Sequence, residues 1–315
     1  MAPLFKVFCI MTLNRRDFLK LSASLCASSA ILLTDYDSMS EGAEALDDLK
    51  FERYTLNVGA ERPFTAVHVS DTHITFSDTR DTERTQKLSE SRSKYFSKAE
   101  RYFLASAEYA KKKDALLLHT GDMIDFLSEK NLEYVKNFYD QTDVARFVSA
   151  GNHEYSHYLG EAKEDEAYKA QSFDRVQKSF PNDLRFASKI VNGVNFVAFD
   201  DVYHYVADNI IELFEKEVEK GLPIVTLCHV PFFTPELYRV QMEEKKERFS
   251  YLLGAPDTKR ESSDRFLSWL KTQPLFKAHL SGHLHYNHVC QFSDSATQYV
   301  VGGNFQGCLY EFNFV

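Results

Sequence analysis

Five short polar blocks, each at the end of an apolar run, carry the side chains of this sequence that could do chemistry. They offer carboxylates, one amide oxygen and several imidazoles, the oxygen and nitrogen donors that bind Mn, Fe, Zn or Co. Together they could ligate two metal ions about 4 Å apart and leave one histidine for proton transfer. In chain order the blocks are Ser70-Asp71-Thr72-His73, Gly121-Asp122-Met123-Ile124-Asp125, Gly151-Asn152-His153-Glu154, Cys228-His229-Val230-Pro231 and Gly282-His283-Leu284-His285.

The blocks differ in what each can contribute. Asp71 and His73 can reach one ion together if the backbone bends, and Asp122 can bridge two ions with its two carboxylate oxygens. Asn152 offers a neutral oxygen, and there is no thiolate of the kind that binds a structural zinc. The negative charge of two carboxylates compensates only part of the positive charge of two dications. The remaining positive charge lowers the pKa of a bound water and attracts an anionic substrate. The remaining nitrogen donors are His229, His283 and His285.

The apolar pattern predicts the elements that position these blocks. From Phe51 onward, strand-like runs alternate with helical patterns, which is typical of an α/β fold. Each block follows a predicted strand, at the edge where the loops of an α/β sheet converge. Gly121, Gly151 and Gly282 are expected to let the backbone turn tightly before the ligands. The predicted strands are 64–69, 115–119, 144–149, 194–199, 224–228 and 278–281, the predicted helices are 94–113 and 209–220, and 289–315 is predicted to form closing antiparallel strands.

The composition indicates a globular protein with a large core and excludes some classes of partner. Hydrophobic residues make up 44% of the 315 residues and charged residues 26%. A net charge of -9 argues against a surface that coats nucleic acid. After the N-terminal region the longest apolar runs have the length of strands, so we expect no stable membrane anchor. The sequence leaves the oligomeric state open.

The N-terminal region, residues 1–45, reads as an export signal. Arg15-Arg16-Asp17-Phe18-Leu19-Lys20 resembles the core of a bacterial twin-arginine signal, and a Ser/Ala-rich stretch follows it. Ala43-Glu44-Ala45 is a suitable small-residue cleavage site. We therefore expect a periplasmic or secreted mature protein made of residues 46–315.

Two alternatives for this region stay open, and the start of translation is a separate question. The two arginines could belong to an ordinary amphipathic helix. A lipoprotein attached through Cys26 is also conceivable, although Leu25 before it is not the expected small residue. Met11 would give a tidier signal than Met1, so we expect it to be the true start.

The order Asp-x-His, Gly-Asp-x-x-Asp, Gly-Asn-His-Glu, His, Gly-His-x-His resembles the calcineurin-like metallophosphoesterase superfamily, from Asp71 to His285. The resemblance implies a single catalytic α/β domain in which two mixed β-sheets are sandwiched between helices. It also implies two metal ions, with Mn, Fe or Zn expected. The implied ligands are Asp71, His73 and His285 for one ion, Asn152, His229 and His283 for the other, and Asp122 as the bridge.

The same resemblance implies the reaction. A hydroxide bridging the two metals would attack a small-molecule phosphodiester or phosphomonoester, with His153 as the acid that protonates the leaving group and Asp125 orienting it. We slightly favour diesters, because no arginine pair sits beside the blocks to clamp a terminal phosphate. The stretches 74–93 and 232–246 could form a rim over the metals. Their candidate rim residues are Arg80, Arg84, Arg92, Phe233, Tyr238 and Arg239.

Less specific interpretations compete with these roles. Asp125 could instead cap a helix, and Glu154 could start a helix with no chemical role. His68 and His119 are expected in the core or behind the ligands, while His157, His279 and His288 could contact substrate. The alternative function is a non-catalytic metal- or phosphate-binding member of the same fold.

Overall fold

Two β-sheets form the centre of the computed structural model, which describes residues 45–156 and 165–315. Inner strands such as Leu116–Thr120 and Val194–Phe199 are short, largely apolar segments that are buried on both faces, whereas the edge strands Lys50–Leu56 and Phe186–Val191 are partly exposed. The strands are β1 (Lys50–Leu56), β2 (Phe64–Val69), β3 (Leu116–Thr120), β4 (Arg146–Ser149), β5 (Phe186–Val191), β6 (Val194–Phe199), β7 (Ile224–Leu227), β8 (Phe276–Ser281), β9 (His288–Gln291), β10 (Thr297–Val300) and β11 (Cys308–Phe314).

Both sheets mix parallel and antiparallel pairs. The first has the order β1-β11-β2-β3-β4 and the second the order β5-β6-β7-β8-β10-β9. In the first sheet β2, β3 and β4 are parallel, and in the second β6, β7, β8 and β10 are parallel. Parallel strands end at the same edge, so each sheet collects its polar strand ends on one side.

Helices flank the sheets, and several of them begin at residues with capping side chains. The hydroxyls of Thr82 and Ser128 accept from backbone N–H groups three residues on, at 3.2 and 3.0 Å. Thr234 caps the short helix that starts with Pro235 in the same way. The helices are α1 (Glu83–Tyr95), α2 (Ala99–Lys112), α3 (Glu129–Gln141), α4 (Glu166–Gln177), α5 (Ile210–Val218), α6 (Pro235–Arg239, followed by the π-helical turn Val240–Glu244) and α7 (Glu261–Leu270).

The core has three layers, because alternate residues of each strand face opposite ways. Leu116 and Leu118 of β3 pack between the sheets with Phe196 of β6. Leu117 faces the other way and packs with Phe103 of α2. On the outer face of the second sheet, Phe199 packs with residues of α5 and α7. The predicted fold, a single α/β domain with two mixed sheets between helices, is confirmed.

Two predicted elements differ from the structure. The helix predicted over 94–113 is interrupted, because α1 ends at Tyr95 and Phe96 turns inward to stack on the His73 ring at 4.6 Å. The closing strands are only partly antiparallel. β9 and β10 form an antiparallel pair, but β11 joins the first sheet, where it is parallel to β1 and antiparallel to β2.

The predicted export signal, its cleavage site and the start at Met11 lie in residues 1–45, of which the structure describes only the last. The boundary at residue 46 therefore stays a prediction. Within the described ranges no helix combines the length and the apolar character needed to cross a membrane.

Candidate metal centre

The five polar blocks meet where the carboxyl ends of the parallel strands lie. Three blocks follow β2, β3 and β4 in the first sheet, and two follow β7 and β8 in the second. The N–H of His283 donates to Asp71 Oδ2 at 2.9 Å, and Nδ1 of His229 donates to the carbonyl of Thr120 at 2.8 Å. These bonds join the two sheets at the edge that the apolar pattern predicts.

Asp71, His73 and His285 form the first group of potential ligands, here called the His73 group. His285 Nε2 lies 3.1 Å from His73 Nε2 and 3.2 Å from Asp71 Oδ1. His73 Nε2 lies 3.9 Å from the same oxygen. One carboxylate oxygen and two imidazole nitrogens that converge in this way suit a single ion.

Asp122, His229 and His283 form the second group, here called the His229 group. His229 Nε2 lies 3.1 Å from Asp122 Oδ2 and 3.0 Å from His283 Nδ1. Asn152 lies beside this group, since the N–H of the next residue, His153, donates to Asp122 Oδ1 at 2.8 Å. The seven side chains named as ligands from the sequence are thus brought to one edge of the molecule.

Asp122 lies between the two groups. Its Oδ2 is 3.1 Å from His229 Nε2 and 3.9 Å from His73 Nε2, whereas its Oδ1 is held by a backbone N–H. The sequence predicts a bridge through both carboxylate oxygens, but the structure turns one oxygen toward both groups. Asp71 is held in the same manner, with Oδ2 on a backbone N–H and Oδ1 directed inward.

Two buried oxygens show that the groups fit cations. In the part of the chain that the structure describes, Oδ1 of Asp71 and Oδ1 of Asn152 are buried without a hydrogen-bond partner. Leaving such a group unpaired costs about 1–3 kcal/mol. A cation in the His73 group would satisfy Asp71 Oδ1, and Asn152 Oδ1 is an unengaged oxygen donor in the loop beside the His229 group. The mixed nitrogen and oxygen donors match Mn, Fe or Zn.

The backbone of most of these ligands is strained. A non-glycine residue with positive φ costs about 1–3 kcal/mol and persists where its surroundings hold it. Here the N–H groups of Asp71 and His73 donate to the carbonyls of Gly121 and Asp122, at 3.0 and 2.9 Å. The ligands with positive φ are Asp71 (53°), His73 (57°), Asp122 (54°), His283 (68°) and His285 (57°).

The three glycines of the blocks serve two purposes. Gly121 has φ 91° and provides the tight turn expected of it. Gly151 and Gly282 do not have positive φ. A Cβ at Gly151 would clash with the Asp122 carboxylate, and one at Gly282 would clash with Ser70 Oγ and Asp71 Oδ2. The ligand loops therefore need these two glycines for space, and not for the turn that the sequence predicts.

The electrostatics of the His229 group favour an anion beside a cation. Burial opposes the ionised form of Asp122, but the charges of His229 and His153 outweigh it and hold its pKa well below the usual range. Burial would lower the pKa of His229, yet the charge of Asp122 and the hydrogen bond to it raise that pKa to about 10. A metal bound here would take the place of a proton that the carboxylate otherwise holds on the imidazole.

The family profile described as calcineurin-like phosphoesterase matches residues 64–287, most of the described chain. The chain belongs to the calcineurin-like phosphoesterase family. The family predicted from the five blocks is thus confirmed. No curated protein sequence matches the chain.

Several solved structures are similar at low identity. A dimetal phosphatase from Danio rerio is 12% identical, with 77% of this chain and 88% of that chain covered and a TM-score of 0.46. A phosphopantetheinyl hydrolase from Mycobacterium tuberculosis is 14% identical, with 77% and 90% covered and a TM-score of 0.41. A 5'-nucleotidase from Candida albicans is 14% identical, with 81% and 48% covered and a TM-score of 0.41, so this chain spans about half its length. Likeness at this level says nothing about what this family member acts on.

Asp125 of the family's Gly-Asp-x-x-Asp block contacts two histidines. Its Oδ1 accepts from His73 Nδ1 at 3.0 Å, and its backbone carbonyl accepts from His153 Nδ1 at 2.6 Å. The carboxylate is farther from His153, at 3.5 Å. The sequence assigns the orientation of His153 to the Asp125 side chain. In the structure the carbonyl makes the closer contact, while the carboxylate bonds the ligand His73.

Arg92 of α1 holds the Asp125 carboxylate from the far side. Its Nε and Nη2 donate to Oδ2 and Oδ1 at 2.6 and 2.7 Å, and its guanidinium lies over the Phe96 ring at 4.8 Å. Burial opposes ionisation of Asp125, but the hydrogen bonds from Arg92 and His73 hold its pKa below the usual range. Arg92 was predicted to lie on a substrate rim, and instead it forms a charged support behind His73.

Asp201 supports the His229 group and was missed from the sequence. Its two carboxylate oxygens accept from the N–H groups of His229 and Val230, both at 3.0 Å. It lies two residues after the end of β6, so the strand-end pattern that identifies the ligand blocks would also have identified it. Its partners are backbone groups nearly thirty residues away, which no local pattern reveals.

Glu154 joins the two loops that carry Asp122 and Asn152. Its carboxylate is fully buried and accepts from the N–H groups of Gly151, Asp122, Met123 and Ile124. The sequence leaves Glu154 as a helix-start residue with no role. In the structure it fixes the backbone on either side of Asp122 and at Gly151, which is a structural role.

The other predicted histidines and rim residues have partners outside the two ligand groups. His68, His119 and His279 are buried and bond the hydroxyls of threonines. His288 faces Glu236, and His157 lies outside the described residues. Among the rim candidates, Arg80 is engaged by Asp78 and Glu133, Arg239 by Glu244, and Phe233 packs against Tyr238.

Proposed function

We propose that this chain is a two-metal phosphoester hydrolase. The observation that carries the proposal is the pair of ligand groups that share Asp122, together with the buried unpaired oxygens of Asp71 and Asn152. The family assignment supports hydrolysis of a phosphoester as the class of reaction.

The residues that would hold the ions follow from the two groups. Asp71, His73 and His285 would bind one ion, and His229, His283 and Asn152 the other, with Asp122 shared. When bound, the ions would supply Lewis acidity to a water molecule and offset the negative charge of the phosphoester. The bonds from Thr120 and Asp125 fix His229 and His73 with Nδ1 protonated, so that Nε2 is left to bind metal.

His153 is the proposed proton donor. Its Nδ1–H is engaged by the Asp125 carbonyl, so a second proton on Nε2 is the one that can be given away. Nε2 lies 3.9 Å from Asp122 Oδ2, at the border of both groups. In that position it can protonate the oxygen of a departing alcohol, a contribution of about 10²–10⁴ in rate.

We propose phosphodiesters as the preferred substrates. A terminal phosphate carries a second negative charge that enzymes commonly clamp with arginine. Among the arginines predicted for the rim, Arg92 contacts the Asp125 carboxylate that bonds His73, and it already forks onto that carboxylate. A diester, with a single negative charge, does not require such a clamp.

The test is a hydrolysis assay on the metal-loaded protein. Bis-p-nitrophenyl phosphate and p-nitrophenyl phosphate are compared with Mn, Fe, Zn and Co, after metal content has been measured. We expect two ions per chain and faster turnover of the diester. No hydrolysis by protein that holds two ions would contradict the enzyme proposal and favour a binding protein of the same fold.

We also propose that the enzyme works outside the cytoplasm, in the periplasm or after secretion. The support is the twin-arginine pattern at Arg15-Arg16 and the small residues at Ala43-Glu44-Ala45. Arg15→Lys combined with Arg16→Lys should retain the protein in the cytoplasm. Unchanged export of that double variant in cell fractionation would count against the proposal.

A further inference from the structure

The exposed aromatic side chains of the described residues are not scattered at random. The large hydrophobic residues that are exposed there are Tyr95, Ile190, Phe249 and Val315. The two aromatic ones, Tyr95 at 68% exposed and Phe249 at 48%, each contact a ring that in turn contacts a ligand histidine. Isolated exposed apolar residues are ordinary, but two exposed rings beside one polar centre indicate a binding surface.

Tyr95 is the outermost ring of an aromatic wall beside the His73 group. It lies 4.8 Å from Phe96 and 5.9 Å from Phe305, between ring centroids. Phe96 stacks on His73 at 4.6 Å, and Phe305 lies 5.2 Å from His285. The wall therefore runs from the two ligand histidines out to the surface.

Phe249 occupies the corresponding position beside the His229 group. Its ring lies 6.1 Å from Tyr251, which lies 5.8 Å from the His283 ring. The guanidinium of Arg248 lies 5.4 Å from the Phe249 ring centroid. A cation over the exposed ring adds attraction for an anionic substrate that also carries a flat group.

The position of His153, the proposed proton donor, indicates which ester group of a diester faces each aromatic surface. His153 lies at the border of both groups, with Nε2 3.9 Å from Asp122 Oδ2, and its ring packs against His73, 4.7 Å away, on the side of the aromatic wall. If the alcohol that His153 protonates leaves along this wall, it departs toward Tyr95, and the second ester group of a diester extends toward Phe249.

We propose that the substrates are phosphodiesters with flat aromatic groups on both esters, aryl or nucleobase, and that Tyr95 and Phe249 select them. This inference rests on the proposed function. Aromatic rings stack face to face or edge to face, and each pair adds affinity beyond the burial of its area. An alkyl diester has no flat group to stack against either residue and gains less from these surfaces.

The test measures binding to the Mn-loaded protein by calorimetry, so that it does not depend on turnover. Diphenyl phosphate is compared with diethyl phosphate. We expect diphenyl phosphate to bind the wild type about tenfold or more tightly than diethyl phosphate. Tyr95→Ala and Phe249→Ala should each weaken diphenyl phosphate by about threefold to tenfold and leave diethyl phosphate unchanged.

Matched variants separate stacking from other causes. Tyr95→Phe keeps the ring and should retain wild-type affinity, and Ile190→Ala, an exposed apolar residue on β5, should change neither ligand. Equal affinities of the wild type for the two diesters would overturn the inference, as would an aromatic preference that survives both alanine variants. Failed hydrolysis by protein that still prefers diphenyl phosphate would count against the proposed function alone.

Discussion

The two halves of the candidate metal centre, the His73 group and the His229 group, are supported by different kinds of groups. In the His73 group, the ligand imidazole is held by the Asp125 carboxylate, which Arg92 of α1 grips in turn. In the His229 group, the ligand imidazole is held by the backbone carbonyl of Thr120. Asp201 supports that half as well, but it bonds the backbone of His229 and not its ring.

Because of this difference, a single side-chain substitution can remove the support of His73, whereas it cannot remove the support of the His229 ring. A side-chain ion pair can be removed by one substitution, whereas a backbone carbonyl remains whatever its residue. A carboxylate behind an imidazole also makes that imidazole a stronger electron donor to a metal than a carbonyl does. We therefore expect the His73 half to depend on α1 and the His229 half to depend on the sheet edges.

Loss of Asp122 should affect both halves and should have the strongest effect on metal content and turnover. Asp122→Ala deletes the side chain that faces both groups, so the protein should lose affinity for both ions. We expect metal content to fall from two ions to less than one and turnover to fall about a thousandfold or more. Elemental analysis after gel filtration measures the metal, and circular dichroism checks that the fold persists. Two ions retained by Asp122→Ala would show that the halves do not share this ligand.

Loss of His153 should leave metal binding by both halves unchanged. His153→Ala removes the proposed proton donor but no ligand, so metal content should stay at two ions per chain. Turnover of a diester with a poor leaving group should fall about 10²–10⁴-fold. With p-nitrophenyl esters the fall should be smaller, because that leaving group needs less help from an acid. Loss of metal from His153→Ala would contradict the assignment of His153 as a residue outside the ligand set.

A third substitution should affect the His73 half alone. Arg92→Met leaves Asp125 without its fork, so His73 is less firmly oriented and one ion should bind about 10–100-fold more weakly. Metal titration should separate one weakened site from one unchanged site.

The chain offers a matched control for Arg92. Arg80 forks onto Asp78 with similar geometry, but on an exposed surface. Arg80→Met should leave both metal affinities unchanged. The double variant Arg92→Met, His285→Ala changes only the His73 half, so it should still bind the ion of the His229 half tightly. Loss of that ion as well would show that Arg92 does not act on the His73 half alone.

Substitution of Asp201, which supports the His229 half, should have the weakest effect on metal affinity. In Asp201→Asn, one of the two backbone N–H groups of His229 and Val230 loses its carboxylate acceptor, at a cost of about 1–3 kcal/mol in the free energy of unfolding. The loss is measured by urea denaturation. Because the ring bond to Thr120 remains, metal affinity should change by less than tenfold. A loss of metal as large as that of Arg92→Met would erase the proposed difference between the halves.

The sequence predicts much of this centre because its signals are local. Asp71, Asp122 and His283 each lie two or three residues after a predicted strand, and parallel strands must end together, so their approach to one another follows from the pattern. Arg92 escapes such reasoning altogether, and for Asp201 the pattern indicates only its place near the end of β6 and not its partners. Their partners lie 33 and 28 positions away, and only the packing of α1 and β6 brings them together.

The fold shows the same division. The apolar runs predict most strands to within two residues, since burial on both faces leaves little choice of residue. They do not predict the break at Phe96 or the placement of β11, because both depend on tertiary contacts. Phe96 leaves the helix to cover His73, and β11 crosses to the first sheet.

The position of β11 has a consequence for the order of synthesis. It is the last described strand along the chain, yet it lies inside the first sheet, hydrogen-bonded to β1 on one side and to β2 on the other. β1 cannot join that sheet until β11 has been translated. Contacts this distant in sequence slow folding, because a long loop must close before they form. Ribosomes that have not yet translated β11 should therefore carry the first sheet incomplete, with β1 lacking its hydrogen-bonding partner strand.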